Sequence, residues 1–97
     1  MPLLPQSLLS EGSLFRLFCS ISAGDKPLFF QWSKNGQILT NSPQTNYKID
    51  NSDDFSQFII KNIDRSDSGN YSCIVRNAFG EDVKYSQLLV KGLMSSY

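Results

Sequence analysis

The chain runs in short stretches rich in Phe, Ile, Leu, Val and Tyr in which apolar and polar residues alternate. None holds a 3.6-residue period over the roughly 10 to 12 residues that a helix needs. Alternation sets successive side chains on opposite faces of an extended chain. Turn-forming residues separate the stretches at Glu11-Gly12, Gly24-Asp25, Asn35-Gly36, Asn41-Ser42-Pro43, Asn51 to Asp54, Ser66 to Gly69 and Gly80-Glu81. Short strands punctuated in this way predict an all-β sandwich or barrel. Asn35-Gly36 lies between an apolar run and Ile38-Leu39, and because both residues tolerate positive φ it predicts a two-residue hairpin.

At 97 residues, 40% of them hydrophobic, the chain holds one core, so we read 1–97 as a single domain with its body at about 3–91. Met1 directly before Pro2 and an end at Met94-Ser95-Ser96-Tyr97 suggest a module taken from a longer protein. No run approaches the roughly 20 apolar residues that span a bilayer, so no direct membrane contact is expected of this domain. Nine Lys and Arg balance nine Asp and Glu, which gives no sign imbalance to attract nucleic acid. Histidine is absent, and with it every mechanism that needs an imidazole base or ligand. Ser is abundant without a base to activate it, and neither a phosphate loop nor a nucleophile elbow is present. No catalytic residue, cofactor, metal or small-molecule substrate is expected.

Two cysteines, Cys19 and Cys73, lie in alternating stretches of opposite halves of the chain, with Trp32 between them. Read alone, they could be two free thiols. Around the second runs Asp67-Ser68-Gly69-Asn70-Tyr71-Ser72-Cys73, which resembles the immunoglobulin superfamily at all four fixed positions of its Asp-x-Gly-x-Tyr-x-Cys motif. The resemblance implies that Cys19 and Cys73 join two sheets across the core and that Trp32 packs on the disulfide. It also implies that Tyr71 bonds back to the backbone near Asp67, with Gly69 completing the signature. A bridge closing a loop of about 55 residues stabilises a fold by about 4 kcal/mol on the chain-entropy model. It also places the parent protein in an oxidising compartment, extracellular on a cell-surface protein, although titin-like cytosolic modules share the fold.

Only 41 steps separate Trp32 from Cys73, too few for the extra strands of a variable domain, so the resemblance is to the intermediate set. Cys73 to Gly80 is similar to that set's hairpin between its last two strands. Strands are placed near 3–10, 14–22, 28–34, 37–40, 46–50, 55–61, 69–77 and 82–91, lettered A, B, C, C′, D, E, F and G in the family's convention. An A-B-E-D sheet is expected to pack on an A′-G-F-C-C′ sheet.

The inward phase of Cys19, Trp32 and Cys73 carries Phe15, Leu17, Ile21, Leu28, Phe30, Tyr71 and Val75 inward by counting in twos. Phe58, Ile60, Ile63, Leu88 and Val90 join them by analogy with the motif. A solvated face should read polar, yet Leu14, Arg16, Phe18, Phe55, Gln57 and Ile59 point outward on one sheet, with Phe18 and Ile59 expected to adjoin. Phe29, Gln31, Ile74, Arg76, Tyr85, Gln87 and Leu89 point outward on the other. Contiguous apolar patches on a monomer mark interaction sites.

Asn70-Tyr71-Ser72 is a glycosylation acceptor with Asn70 outward. Asp50, Asp53 and Asp54 form an acidic turn that lacks the ligand pattern of a calcium loop. Lys48 is expected to pair with Asp67. Gly24-Asp25-Lys26-Pro27, followed by Phe30-Gln31-Trp32, resembles the Dscam family of neuronal and immune cell-surface receptors, including its shortened chelicerate forms. That resemblance implies a multidomain ectodomain acting by homophilic adhesion, and two copies are expected to meet antiparallel about a two-fold axis through the outward residues Arg16, Phe18, Phe55, Gln57 and Ile59. Zero net charge suits self-association. The alternatives are a heterophilic receptor using the C-F-G face and a passive spacer.

Overall fold

A computed structural model describes residues 6–20 and 25–92. Eight strands form among the described residues: β1 (Gln6–Ser10), β2 (Phe15–Ser20), β3 (Phe29–Lys34), β4 (Gln37–Leu39), β5 (Tyr47–Asn51), β6 (Phe55–Ile60), β7 (Gly69–Asn77) and β8 (Gly80–Lys91). Among the described residues, the sheets have the orders β1-β8-β7-β3-β4 and β2-β6-β5. All neighbours are antiparallel except β1, which runs parallel to β8. The chain is therefore an immunoglobulin-like sandwich. The described part of the first expected strand belongs to the five-stranded sheet, as A′; the rest of that expected strand, 3–5, lies outside the described residues, as does Ile21.

The two sheets close on Phe15, Cys19, Trp32, Phe58, Ile60, Ile63, Tyr71, Cys73, Val75, Leu88 and Val90, all buried. Leu17, Leu28 and Phe30 are half-buried at the margin of this core, beside Tyr47 and Ile49 of β5. Phe58 is its centre, with ring centroids 5.6 Å from Trp32, 5.3 Å from Tyr47 and 5.3 Å from Tyr71. Offset and tilted aromatic pairs at such distances add to plain area burial. Cys19 and Cys73 form the inter-sheet disulfide, with Cα atoms 6.3 Å apart. Trp32 stands directly opposite Cys73 on the neighbouring strand.

Local chemistry explains the turns. Asn35 and Gly36 take φ of 50° and 84°, the positive pair that a two-residue hairpin needs to match strand twist. Between β7 and β8 the loop is Ala78-Phe79, held by Asn77 Oδ1 accepting from the N–H groups of Phe79 and Gly80 (2.9 and 3.2 Å). Gly80-Glu81, expected as a turn, is therefore already strand, because the Asn77 side chain closes the reversal two residues earlier. Ser66 to Gly69, expected as a turn, holds the end of a single 3₁₀ turn over Arg65–Asp67 and the first residue of β7. Asp64 caps this turn and Asp67 returns a bond to the Asp64 N–H (2.9 Å), the reciprocal arrangement of a capping box.

Candidate protein-binding faces

The buried frame fixes what each outer face can present. Tyr71 donates its hydroxyl proton to the Asp67 carbonyl, and burial raises its phenol well above the ordinary tyrosine value, with the Asp67 carboxylate adding to the effect. Asp67 is itself buried and its carboxylate accepts from Asn46 Nδ2 (2.9 Å). The expected Lys48–Asp67 pair does not form, because Lys48 has the outward phase of β5 and lies 3.6 Å from Asp50 instead. Asn46, just before β5, takes the role expected of a basic residue. Ser56, fully buried, accepts from Trp32 Nε1 (2.8 Å) and donates to Asn51. Its inward phase follows from Phe58 and Ile60 in twos, the signal by which the sequence could have revealed it.

On the three-stranded face the register lays the outward residues in rows. Arg16, Ile59 and Lys48 form one row, and Phe18, Gln57 and Asp50 the next. Ser20 and Phe55 stand opposite each other in a third. Phe18 is 61% exposed and its ring lies 6.0 Å from that of Phe55. The expected adjacency of Phe18 and Ile59 is corrected to a diagonal, because the pairing sets Phe18 opposite Gln57 and Arg16 opposite Ile59. Sequence reasoning missed Lys48 and Asp50, although the alternation Tyr47-Lys48-Ile49-Asp50 carries them outward. Beyond β5 the edge is closed: Asn41 donates to the Ile49 carbonyl (2.8 Å) and accepts from the Ile49 N–H (2.9 Å), satisfying groups that would otherwise invite another strand.

The five-stranded face holds two apolar groups. Phe29, Ile38, Ile74, Val83 and Tyr85 lie toward the β7–β8 turn, with Arg76 and Glu81 paired at 3.3 Å beside them. Leu8 and Leu89 form a second group at the far end. Between the groups runs a polar row of Asn70, Gln87 and Gln6, in which Asn70 is exposed. The acidic turn is solvated: Lys26 pairs with Asp54, and the Asp54 carboxylate raises the Lys26 ammonium above its usual value. Among the described residues, no group of three or more His, Cys, Asp or Glu side chains is placed to hold a metal ion. No described helix is long and apolar enough to cross a membrane.

A family model for the immunoglobulin I-set domain matches residues 3–90. The cell adhesion molecule Dscam2 of Drosophila melanogaster is 33% identical over 90 residues, which cover 87% of this chain and 4% of that protein. The human SPEG neighbor protein is 34% identical over 84 residues, covering 87% of the chain and 34% of its own length. The chain thus spans about a third or less of these curated relatives. Among solved structures, the M1 domain from titin superposes with a TM-score of 0.76 at 31% identity, covering 93% of this chain and 92% of that one. Sequence, topology and disulfide agree: the chain belongs to the immunoglobulin I-set family.

Proposed function

We propose that the domain is a homophilic recognition module of a longer extracellular, cell-surface protein, and that two copies meet through their three-stranded faces. The observation that carries this reading is the arrangement of charge among apolar residues on that face. Lys48 and Asp50 lie in adjacent rows of the edge strand β5, with Arg16 and Phe18 in the same rows on β2. An antiparallel two-fold axis, in the plane of contact and across the strands between the two rows, sets Lys48 over the second copy's Asp50. It also sets Arg16 over the second copy's Phe18, a cation on an aromatic face. The parallel alternative would stack Arg16 on Lys48, a like-charge contact that costs binding. Phe18, Phe55 and Ile59 supply apolar area around these contacts, and Gln57 fills the centre.

Similarity to a cell adhesion molecule supports the adhesive role. The Cys19–Cys73 disulfide supports an oxidising, extracellular location. Asn70 is then a glycan acceptor. The second reading is a heterophilic receptor that takes a protein ligand on Phe29, Ile74, Val83 and Tyr85, favoured by the direct pairing of Ile74 with Val83 and by Phe29 and Tyr85 standing diagonal to Ile74. Likeness to a titin module favours a third reading, a structural spacer.

Sedimentation velocity across a wide concentration series separates these readings, using the native domain and the variants Ile59→Asp and Leu89→Asp. The homophilic reading predicts a dimer that Ile59→Asp abolishes and Leu89→Asp spares. Loss through Leu89→Asp alone moves the contact to the other sheet, and a monomer at every concentration leaves the receptor and spacer readings.

A further inference from the structure

We propose that Asn70 carries an N-linked glycan whose inner sugars lie over Leu8, Leu89 and Tyr85 and cover that part of the five-stranded face. The proposal rests on the extracellular reading above. Three observations converge on it. The acceptor motif Asn70-Tyr71-Ser72 falls at the start of β7, with Asn70 exposed and on the outward phase opposite to buried Tyr71. Both polar groups of its backbone are held by Asn35, since its N–H donates to Asn35 Oδ1 (2.9 Å) and its carbonyl accepts from the Asn35 N–H (2.7 Å). The amide therefore stands off a well-held strand.

The surroundings of Asn70 match the chemistry of a sugar ring. Directly across the strands lie Gln87 and then Gln6, two amides that both donate and accept hydrogen bonds. The diagonal neighbours are Tyr85 and Leu89, at the ~7–8 Å spacing that a long substituent spans. Leu8 adjoins Leu89 in the parallel register. Leu8, Tyr85 and Leu89 are each about half exposed, at 58%, 54% and 48%. A pyranose presents hydroxyl groups at its rim and C–H bonds on its faces, so a polar row flanked by apolar side chains accepts both. No other described residue carries a covalent acceptor motif beside these side chains.

In the transfer, Asn70 Nδ2 gives up one proton and bonds to the anomeric carbon of a lipid-diphosphate oligosaccharide. The carbon–oxygen bond to the lipid diphosphate breaks, and that group leaves with the electron pair. Nothing is oxidised or reduced. Ser72, which completes the motif, is half-buried between Ser33 and Tyr85 of the flanking strands, so the transfer precedes pairing of β7 with β3 and β8.

The test is secretion of the 97-residue chain from eukaryotic cells behind a cleavable leader, which examines the acceptor whatever the natural compartment. The expected product carries one oligosaccharide by intact mass, absent from Asn70→Gln and from Ser72→Ala. Enzymatic removal of the glycan from the folded protein then raises binding of a hydrophobic dye severalfold. In the Leu8→Ser, Leu89→Ser double variant that rise disappears. A product without sugar overturns the proposal, as does a glycosylated product whose dye binding is the same before and after removal. The extracellular reading is tested separately, by protease access to the parent protein on intact cells.

Discussion

Replacing Ser56 by Ala should unsettle the whole core, although Ser56 is a small residue without charge. Its hydroxyl is fully buried and accepts the Trp32 Nε1–H at 2.8 Å, which leaves the indole no other described partner when it is removed. An unsatisfied buried donor costs about 1–3 kcal/mol, so about 2 kcal/mol is expected. At roughly 2.1 cal/mol/K of unfolding entropy per residue, a chain of this length loses about 10 °C in Tm. The assay is thermal and urea unfolding followed by circular dichroism and by the fluorescence of Trp32, the only tryptophan. A double-mutant cycle with Trp32→Phe isolates the bond from the volume change, and a coupling of about 1–2 kcal/mol is expected. If Ser56→Ala costs as much in the Phe background as in the native one, the hydrogen bond does not carry the effect and the reasoning fails.

Further outcomes follow from the turns and the titratable groups. Gly36 has φ of 84° and open space where a Cβ would stand, so Gly36→Ala meets backbone strain alone. Calorimetry should show a loss of about 1 kcal/mol, or roughly 5 °C, with Gly36→Asn losing less because Asn tolerates that conformation; equal Tm values for native and Ala proteins would count against the turn geometry. The Tyr71 phenol is raised by burial, so its contribution to stability is complete below about pH 10 and is lost as pH climbs from there toward its folded value. Ultraviolet titration should find one of the four tyrosines refusing to ionise until the domain unfolds, and uniform ionisation of a still-folded protein contradicts this. The Asp64 carboxyl is held below its usual value by hydrogen bonds from the Ser66 hydroxyl and backbone. Its stabilising effect is therefore complete above about pH 4 and lost as pH falls through the folded value. The fall of Tm in acid should be shallower for Asp64→Ala than for the native domain, and parallel curves for the two proteins would exclude the cap as a cause.

The fold was legible because its determinants are local or paired at a fixed spacing. Alternation gives strands, Asn35-Gly36 gives a turn, and Cys19, Trp32 and Cys73 set the phase of three strands together. Counting in twos from those three carries Phe15, Tyr71 and Val75 to the core, where they lie. Relations between distant segments were not legible, because register depends on how far each strand slides along its neighbour. For this reason Phe18 faces Gln57, with Ile59 only diagonal to it. The edge strand β5 was the largest omission from the candidate face. Its apolar residues Tyr47 and Ile49 pack inward, and the same alternation turns Lys48 and Asp50 out beside Ile59 and Gln57.

Exchange of charge across the proposed two-fold axis tests the account most directly. Lys48→Asp sets an acidic residue against Asp50 of a second identical copy in each of the two symmetric contacts, and Asp50→Lys sets a basic residue against Lys48 in each. Each variant alone is expected to remain monomeric in sedimentation velocity at concentrations where the native domain dimerises. Mixed in equal amounts, the two variants restore both opposite-charge contacts and should form a one-to-one dimer that weakens as salt rises. Dimerisation of either variant by itself, or a mixture that stays monomeric while the native domain associates, would contradict an antiparallel contact through this face.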